Sequence, residues 1–194
     1  FNFHSHEDTS SKVEGFTLQG GYGLMDSPGG LTVGGAVRCD TSSSPAISEC
    51  VIYGNTAQAG GGVYSGKGYL PRFWNCIFRK NTGGFGGGAV VLRANLSLEH
   101  CVLDSNVADS GGAVGGYYAI VLVRGCSIQH NSAVKGSGGG IKIGIGNIWA
   151  DSCDILYNSA LDFWRGSGGA IQLSEISYLT NSYISDCLFR GDSA

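Results

Sequence analysis

Four side chains that could take part in acid–base chemistry follow cysteines of this sequence at short, fixed distances. Arg79 lies three residues and Lys80 four residues after Cys76, and His130 and Tyr157 each lie four residues after another cysteine. A lyase that acts on an acidic sugar needs a base to remove the proton beside the carboxylate and a cation to stabilise the enolate. If the protein is an enzyme, we expect these four residues to form its catalytic site.

The carboxylates offer less catalytic chemistry. Glycoside hydrolysis uses two carboxylates roughly 5 to 9 Å apart, and Asp151 with Asp154 is the clearest pair within one repeat. Glu99, Arg124 and Asp151 occupy equivalent places in successive repeats, and their alternating charges predict ion pairing between neighbouring strands. Because the ligand spacings of zinc and calcium sites are absent from the sequence, we expect no metal and no other cofactor.

The densest polar group lies at the start of the chain. His4, His6, Glu7 and Asp8 could chelate a metal ion. The chain begins there in the middle of a repeat, however, so we interpret residues 1–12 as a loop or frayed segment that leads into the first repeat.

Two repeats contain extra residues, which predict side loops suited to recognition. One insertion contains Phe163, Trp164 and Arg165, and the next contains Tyr178 and Tyr183. Such side chains could stack on a sugar ring or dock a protein, although Trp164 could instead fold back over the side of the molecule. We predict that Phe163, Trp164, Arg165 and Tyr178 bind a ligand.

A repeat of about 25 residues must position all of these side chains. Its first mark is a regularly spaced cysteine, found at Cys50, Cys76, Cys101, Cys126, Cys153 and Cys187. An asparagine follows five residues after each of the first five, at Asn55, Asn81, Asn106, Asn131 and Asn158. After Cys187 the same place holds Asp192. These positions predict two structural columns of like residues, one of cysteine and one of asparagine.

A second motif has the same period and reads Gly-Gly followed by a small and then a β-branched residue. It occurs at residues 34–37, 60–63, 87–90, 111–114, 138–141 and 168–171. Glycine could be needed here because the backbone has a positive φ at a corner, or because two backbones approach closely. The sequence does not distinguish these two explanations. No window has the apolar spacing of a helix, and the leucine-rich and propeller patterns are absent. What remains is a coil of short strands stacked in parallel.

These motifs resemble a known class of repeats. The tetrapeptides at 78–81 (Phe-Arg-Lys-Asn) and 168–171 (Gly-Gly-Ala-Ile) resemble the repeats of polymorphic outer-membrane proteins. The segment 44–55 is similar to repeats of large secreted bacterial proteins with the right-handed parallel β-helix fold. The resemblance implies an all-β, pectate-lyase-like solenoid of about six turns. It also implies an extracellular or bacterial cell-surface location, in a fold that serves adhesins, polysaccharide lyases and hydrolases alike.

The seven cysteines favour buried free thiols over disulfides. Side chains in a uniform column point in parallel, whereas a disulfide needs Cβ atoms near 3.8 Å and a dihedral near 90°. With 12 basic and 15 acidic residues the net charge is only −3, which does not favour nucleic acid as a partner. No apolar run is long enough to predict a membrane-spanning helix.

We therefore predict one β-helix domain over residues 1–194, either a segment of a longer solenoid or a unit that stacks end to end. The preferred function is a non-enzymatic extracellular stalk, structural or adhesive, whose side loops bind a glycan or a host or cell-surface protein. A carbohydrate-active enzyme, a polysaccharide lyase or hydrolase acting on the side of the β-helix, is the first alternative. An architectural subunit joined through its open ends is the second.

Overall fold

The computed structural model describes residues 1–40, 42–66, 70–161, 168–174 and 182–194. These residues form strands, turns and bends, with no helix among them. The strands build four sheets of seven strands each, and successive turns of the coil visit the sheets in the same order. Among the described residues, the first winding contributes two strands to the fourth sheet and the last winding contributes none to it. The result is a parallel β-solenoid of about five turns, close to the six that the repeats predict. The predicted all-β parallel β-helix is confirmed.

The four sheets are named here in the order in which the chain visits them. Sheet I contains Asn2–Phe3, Val37–Cys39, Val63–Gly66, Ala89–Leu92, Val114–Tyr117, Ile141–Ile143 and Ile171–Leu173. Sheet II contains Lys12–Glu14, Ala46–Ser48, Arg72–Trp74, Asn95–Glu99, Ala119–Arg124, Gly146–Asp151 and Tyr183–Ser185. Sheet III contains Thr17–Gln19, Val51–Tyr53, Ile77–Arg79, Val102–Asp104, Ser127–Gln129, Asp154–Leu156 and Leu188–Arg190. Sheet IV contains Leu24–Met25, Thr32–Val33, Thr56–Ala59, Thr82–Phe85, Val107–Ser110, Ser132–Ala133 and Ser159–Ala160.

All strand pairs are parallel except one. Leu24–Met25 and Thr32–Val33 form an antiparallel pair at the first edge of sheet IV. At the same end of the solenoid, Asn2–Phe3 pairs with Arg38 and Cys39 in sheet I, and the Glu7 carboxylate accepts hydrogen bonds from Ser43 Oγ at 2.5 Å and Ser5 N at 2.8 Å. These bonds lower the pKa of Glu7 to about 2. Hydrogen bonds to the next winding thus order parts of the first twelve residues.

The core lies inside the coil and follows from the alternation of side chains along each strand. In the windings from Cys50 to Cys153, sheet II directs one apolar residue inward three places before the cysteine, and sheet III directs one inward two places after it. Phe73 and Phe78 do so in one turn, where their rings meet edge to face at 5.3 Å between centroids. Six of the seven cysteines are buried, Cys187 is half-buried, and all are free thiols. A narrow column of small and large apolar side chains therefore fills the solenoid.

The corner between sheets III and IV is held by the asparagine column. The backbone N and Nδ2 of Asn106 both donate to Oδ1 of Asn131, at 2.9 and 3.0 Å, and Nδ2 also donates to the Phe78 carbonyl at 2.9 Å. Oδ1 of Asn106 accepts the same pair of bonds from Asn81. Asn55 and Asn158 repeat this pattern in their own turns. Each buried amide is thus satisfied by the turns before and after it.

The Gly-Gly corner between sheets IV and I uses both properties of glycine. Gly111 has a φ of +68°, which favours glycine, and a Cβ added to Gly112 would overlap the Gly139 carbonyl oxygen of the next turn. One glycine therefore makes the corner and the next allows the close approach.

In the third copy of this motif the register differs from the sequence prediction. Strand pairing places Ala89, not Val90, level with Val63 and Val114. The motif there begins at Gly86 and not at Gly87, because three consecutive glycines at 86–88 allow either alignment by sequence. Val90 instead packs in a small apolar cluster with Val33 and Ala59.

The corner between sheets II and III places the residue before each cysteine at positive φ. His100 has a φ of +53° and its imidazole lies over Gly125, the equivalent residue of the next turn. A Cβ added to Gly125 would lie 2.7 Å from His100 Nδ1. A large side chain in one turn therefore occupies the space that a side chain of the next turn would need.

Asp192 occupies the last place of the asparagine column, and one of its two carboxylate oxygens lacks a hydrogen-bond partner in the part of the chain that the structure describes. Its Oδ1 accepts from the backbone N and Nδ2 of Asn158 at 2.8 and 2.9 Å. Its Oδ2 is buried and finds no hydrogen-bond partner among the described residues. In the other turns this place holds an amide Nδ2 that donates to a carbonyl of the preceding turn, as Asn158 does to Ile128.

Asp192→Asn should therefore raise the free energy of unfolding by about 1 kcal/mol, because the new amide supplies the missing donor toward the Ile155 carbonyl. Urea denaturation at neutral pH measures the change. Asp154→Asn, on an exposed strand position outside the column, is the matched control and should leave stability unchanged. An Asp192→Asn variant no more stable than the parent would contradict this account of the column.

Candidate functional site

The outer face of sheet II carries two columns of outward side chains. Residues four places before each cysteine form one column, and residues two places before form the other, because inward residues lie between them. Strand register stacks Ser97, Leu122, Trp149 and Tyr183 in the first column. It stacks Glu99, Arg124, Asp151 and Ser185 in the second. Successive side chains in a column are separated by the strand spacing of about 4.8 Å.

These columns line a groove of about 930 Å³. Trp149 is 50% exposed and Tyr183 of the next turn is 63% exposed, so two aromatic rings lie on consecutive turns of one face. The groove also contains Asp186, at the corner that follows the sheet. Both aromatic rings line the groove.

The charged column of the groove is partly paired. Arg124 Nε lies 3.4 Å from Asp151 Oδ2, and Ser185 Oγ donates to Asp151 Oδ1 at 2.8 Å. Ser97 Oγ donates to Glu99 Oε1 at 3.3 Å, within the same strand. The alternating column that the sequence predicts is therefore present, with a direct ion pair between Arg124 and Asp151.

The four residues predicted for a lyase lie together on a different edge, at the corner between sheets III and IV. Arg79 Nε and Nη2 both lie 2.8 Å from Asp104 Oδ2. His130 Nδ1 lies 3.3 Å from Asp104 Oδ1, and the His130 ring stacks on Tyr157 with 5.6 Å between centroids. Lys80 lies on the same corner, where it has a φ of +54°. Asp104, which the sequence analysis had not included, is the centre of this cluster.

The environment of Asp104 favours its charged form. Burial leaves 9% of its side chain exposed, which by itself raises the pKa of the carboxyl. Hydrogen bonds from Ser105, Arg79 and His130 outweigh that effect, and the pKa lies below its ordinary value of 3.8. The carboxylate thus holds the guanidinium and the imidazole in place.

The ligand-binding residues predicted in the insertions, Phe163, Trp164, Arg165 and Tyr178, lie outside the described residues. Tyr183 does not lie in an insertion but in a strand of sheet II. Trp149 was missed by the sequence analysis, although its place four residues before Cys153 marks it as outward by simple alternation.

Other predicted chemistry is not assembled into a site. The described residues contain no group of three or more His, Cys, Asp or Glu placed to hold a metal ion. Asp8 accepts hydrogen bonds from Ser10 within its own turn. The described residues also contain no helix of the length and apolarity needed to cross a membrane.

Comparisons with family models, with curated proteins and with solved structures find no match for this chain.

Asp104 should make stability depend on pH in a defined direction. Because folding lowers its pKa, its contribution is fully present above the ordinary value of 3.8 and is lost as the pH falls through the folded value. The stability difference between the parent and Asp104→Asn should therefore be largest near neutral pH and shrink in acid. Urea denaturation across pH measures it, with the non-titrating Ser127→Ala as control. A difference that stays constant down to the acid range would contradict the assignment.

Proposed function

We propose that this protein is a non-enzymatic extracellular β-helix, structural or adhesive, that holds a carbohydrate chain in the groove on sheet II. The observation that carries the proposal is the pair of exposed rings, Trp149 and Tyr183, on consecutive turns beside hydrogen-bonding carboxylates. The extracellular location rests on the resemblance of the repeats to secreted and surface-exposed bacterial β-helix proteins.

The chemistry of the groove suits sugars. The faces of pyranose rings are apolar and stack on aromatic side chains, whereas their edges carry hydroxyls that pair with carboxylates and serine. Most of the groove lies on strands of sheet II, so little conformational entropy is lost when a ligand binds. These properties favour a rigid binding surface for an extended chain.

The cluster around Asp104, at the corner between sheets III and IV, argues against a lyase site. A lyase needs a cation directed at the carboxylate of its substrate, but both contacting nitrogens of Arg79 are directed at Asp104. His130 has one nitrogen facing the same carboxylate and its ring against Tyr157. Arg79 and His130 thus have structural roles, which favours the non-enzymatic interpretation.

Calorimetric titration with soluble polysaccharides tests the proposed binding. We expect Trp149→Ala to weaken binding by about tenfold or more, because a stacking ring at the centre of a site contributes at least that much. Trp74→Ala is the matched control, since Trp74 lies on the same sheet with 47% exposure but does not line the groove. It should change affinity less than about twofold. Equal losses in the two variants, or no binding by the parent, would overturn the proposal.

Incubation with polygalacturonate tests the absence of catalysis. Lyase action produces unsaturated sugars that absorb in the ultraviolet, and we expect no rise in absorbance. A rise that disappears in Lys80→Ala or His130→Ala would instead establish the enzyme. Both variants change exposed side chains, and circular dichroism verifies that they remain folded.

A further inference from the structure

We propose that the groove on sheet II selects uncharged carbohydrate chains over polyuronates. This inference rests on the proposed function and names the class of ligand. Its basis is the column Glu99, Arg124 and Asp151, in which the sign of the charge changes at every turn.

Acidic ligands meet an excess of negative charge in the groove. Glu99, Asp151 and Asp186 line it, whereas Arg124 is the only cation among its described lining residues. Arg124 is 68% exposed at its side chain but has its Nε 3.4 Å from Asp151. A uronate that reached Arg124 would lie beside the carboxylates of Glu99 and Asp151, where like charges repel.

Hydroxyl groups match this column without conflict. A hydroxyl both donates and accepts, so a neutral sugar can donate to Glu99 and Asp151 and accept from Arg124. Each of these planar groups has more hydrogen-bonding positions than its protein contacts use. Trp149 and Tyr183 lie in the adjoining column. There they would stack on the sugar rings of the same carbohydrate chain. The groove thus combines an alternating polar column with an apolar one.

Calorimetry with two probes at low and high salt tests the inference. We expect hydroxyethylcellulose, a neutral chain, to bind at least about tenfold more tightly than polygalacturonate. Its affinity should change little with salt, because screening acts on charged pairs. Equal or tighter binding of polygalacturonate that is lost in Trp149→Ala would overturn the inference and leave the proposed function standing. If no polysaccharide binds, the proposed function itself fails.

The double variant Glu99→Gln, Asp151→Asn isolates the role of charge. Both amides keep the shape and the hydrogen-bonding oxygens, so affinity for hydroxyethylcellulose should stay within about threefold. Affinity for polygalacturonate should rise by about tenfold, because two repelling charges disappear and Arg124 loses its partner. The matched control Glu14→Gln, Asp154→Asn changes two exposed carboxylates outside the groove and should alter neither affinity. No gain for polygalacturonate in the groove variant would overturn the inference.

Discussion

Hydrogen bonding between the backbones of successive turns fixes a vertical repeat of about 4.8 Å, and the rest of this structure depends on what can be stacked at that distance. Apolar side chains satisfy the constraint by packing, as Phe73, Leu98 and Val123 do in the core. Identical polar groups satisfy it when each can both donate and accept along the column, and the asparagine amide does so. The thiol column is a weaker version, in which Cys126 Sγ donates to the Leu98 carbonyl and accepts from Cys101 N.

The same constraint shapes the outside of the molecule. Outward side chains on one sheet must form columns, so a chemical feature of one turn acquires neighbours of fixed spacing above and below. On sheet II this places an aromatic pair beside an alternating ionic column. At the corner between sheets III and IV it places Asp104 between Arg79 and His130. The first arrangement leaves a recess that a ligand can occupy, whereas the second is closed by its own contacts.

The sequence predicts this fold well because the columns are visible as spacings. The recurrence of cysteine and of asparagine five residues later defines two corners, and alternation from the cysteine defines which residues face inward. The sequence prediction is wrong at Ala89, because three consecutive glycines before it leave the strand register ambiguous. The sequence also does not predict that Asp104 is the centre of the cluster with Arg79 and His130. Spacing shows which residues lie at a corner, but it does not show which side chains contact each other. Trp149 is predictable from the sequence, because its place four residues before Cys153 makes it face outward.

The imidazole of His100 above Gly125 has a consequence for how such a chain can vary. The imidazole fills the space beside Gly125, so a side chain added at position 125 would first have to displace it. The same relation joins Tyr157 and Gly191 one corner further on. The effect of adding a side chain at either glycine therefore depends on the ring in the preceding winding, whereas His130 and Tyr157 show that two rings can also stack face to face on consecutive windings.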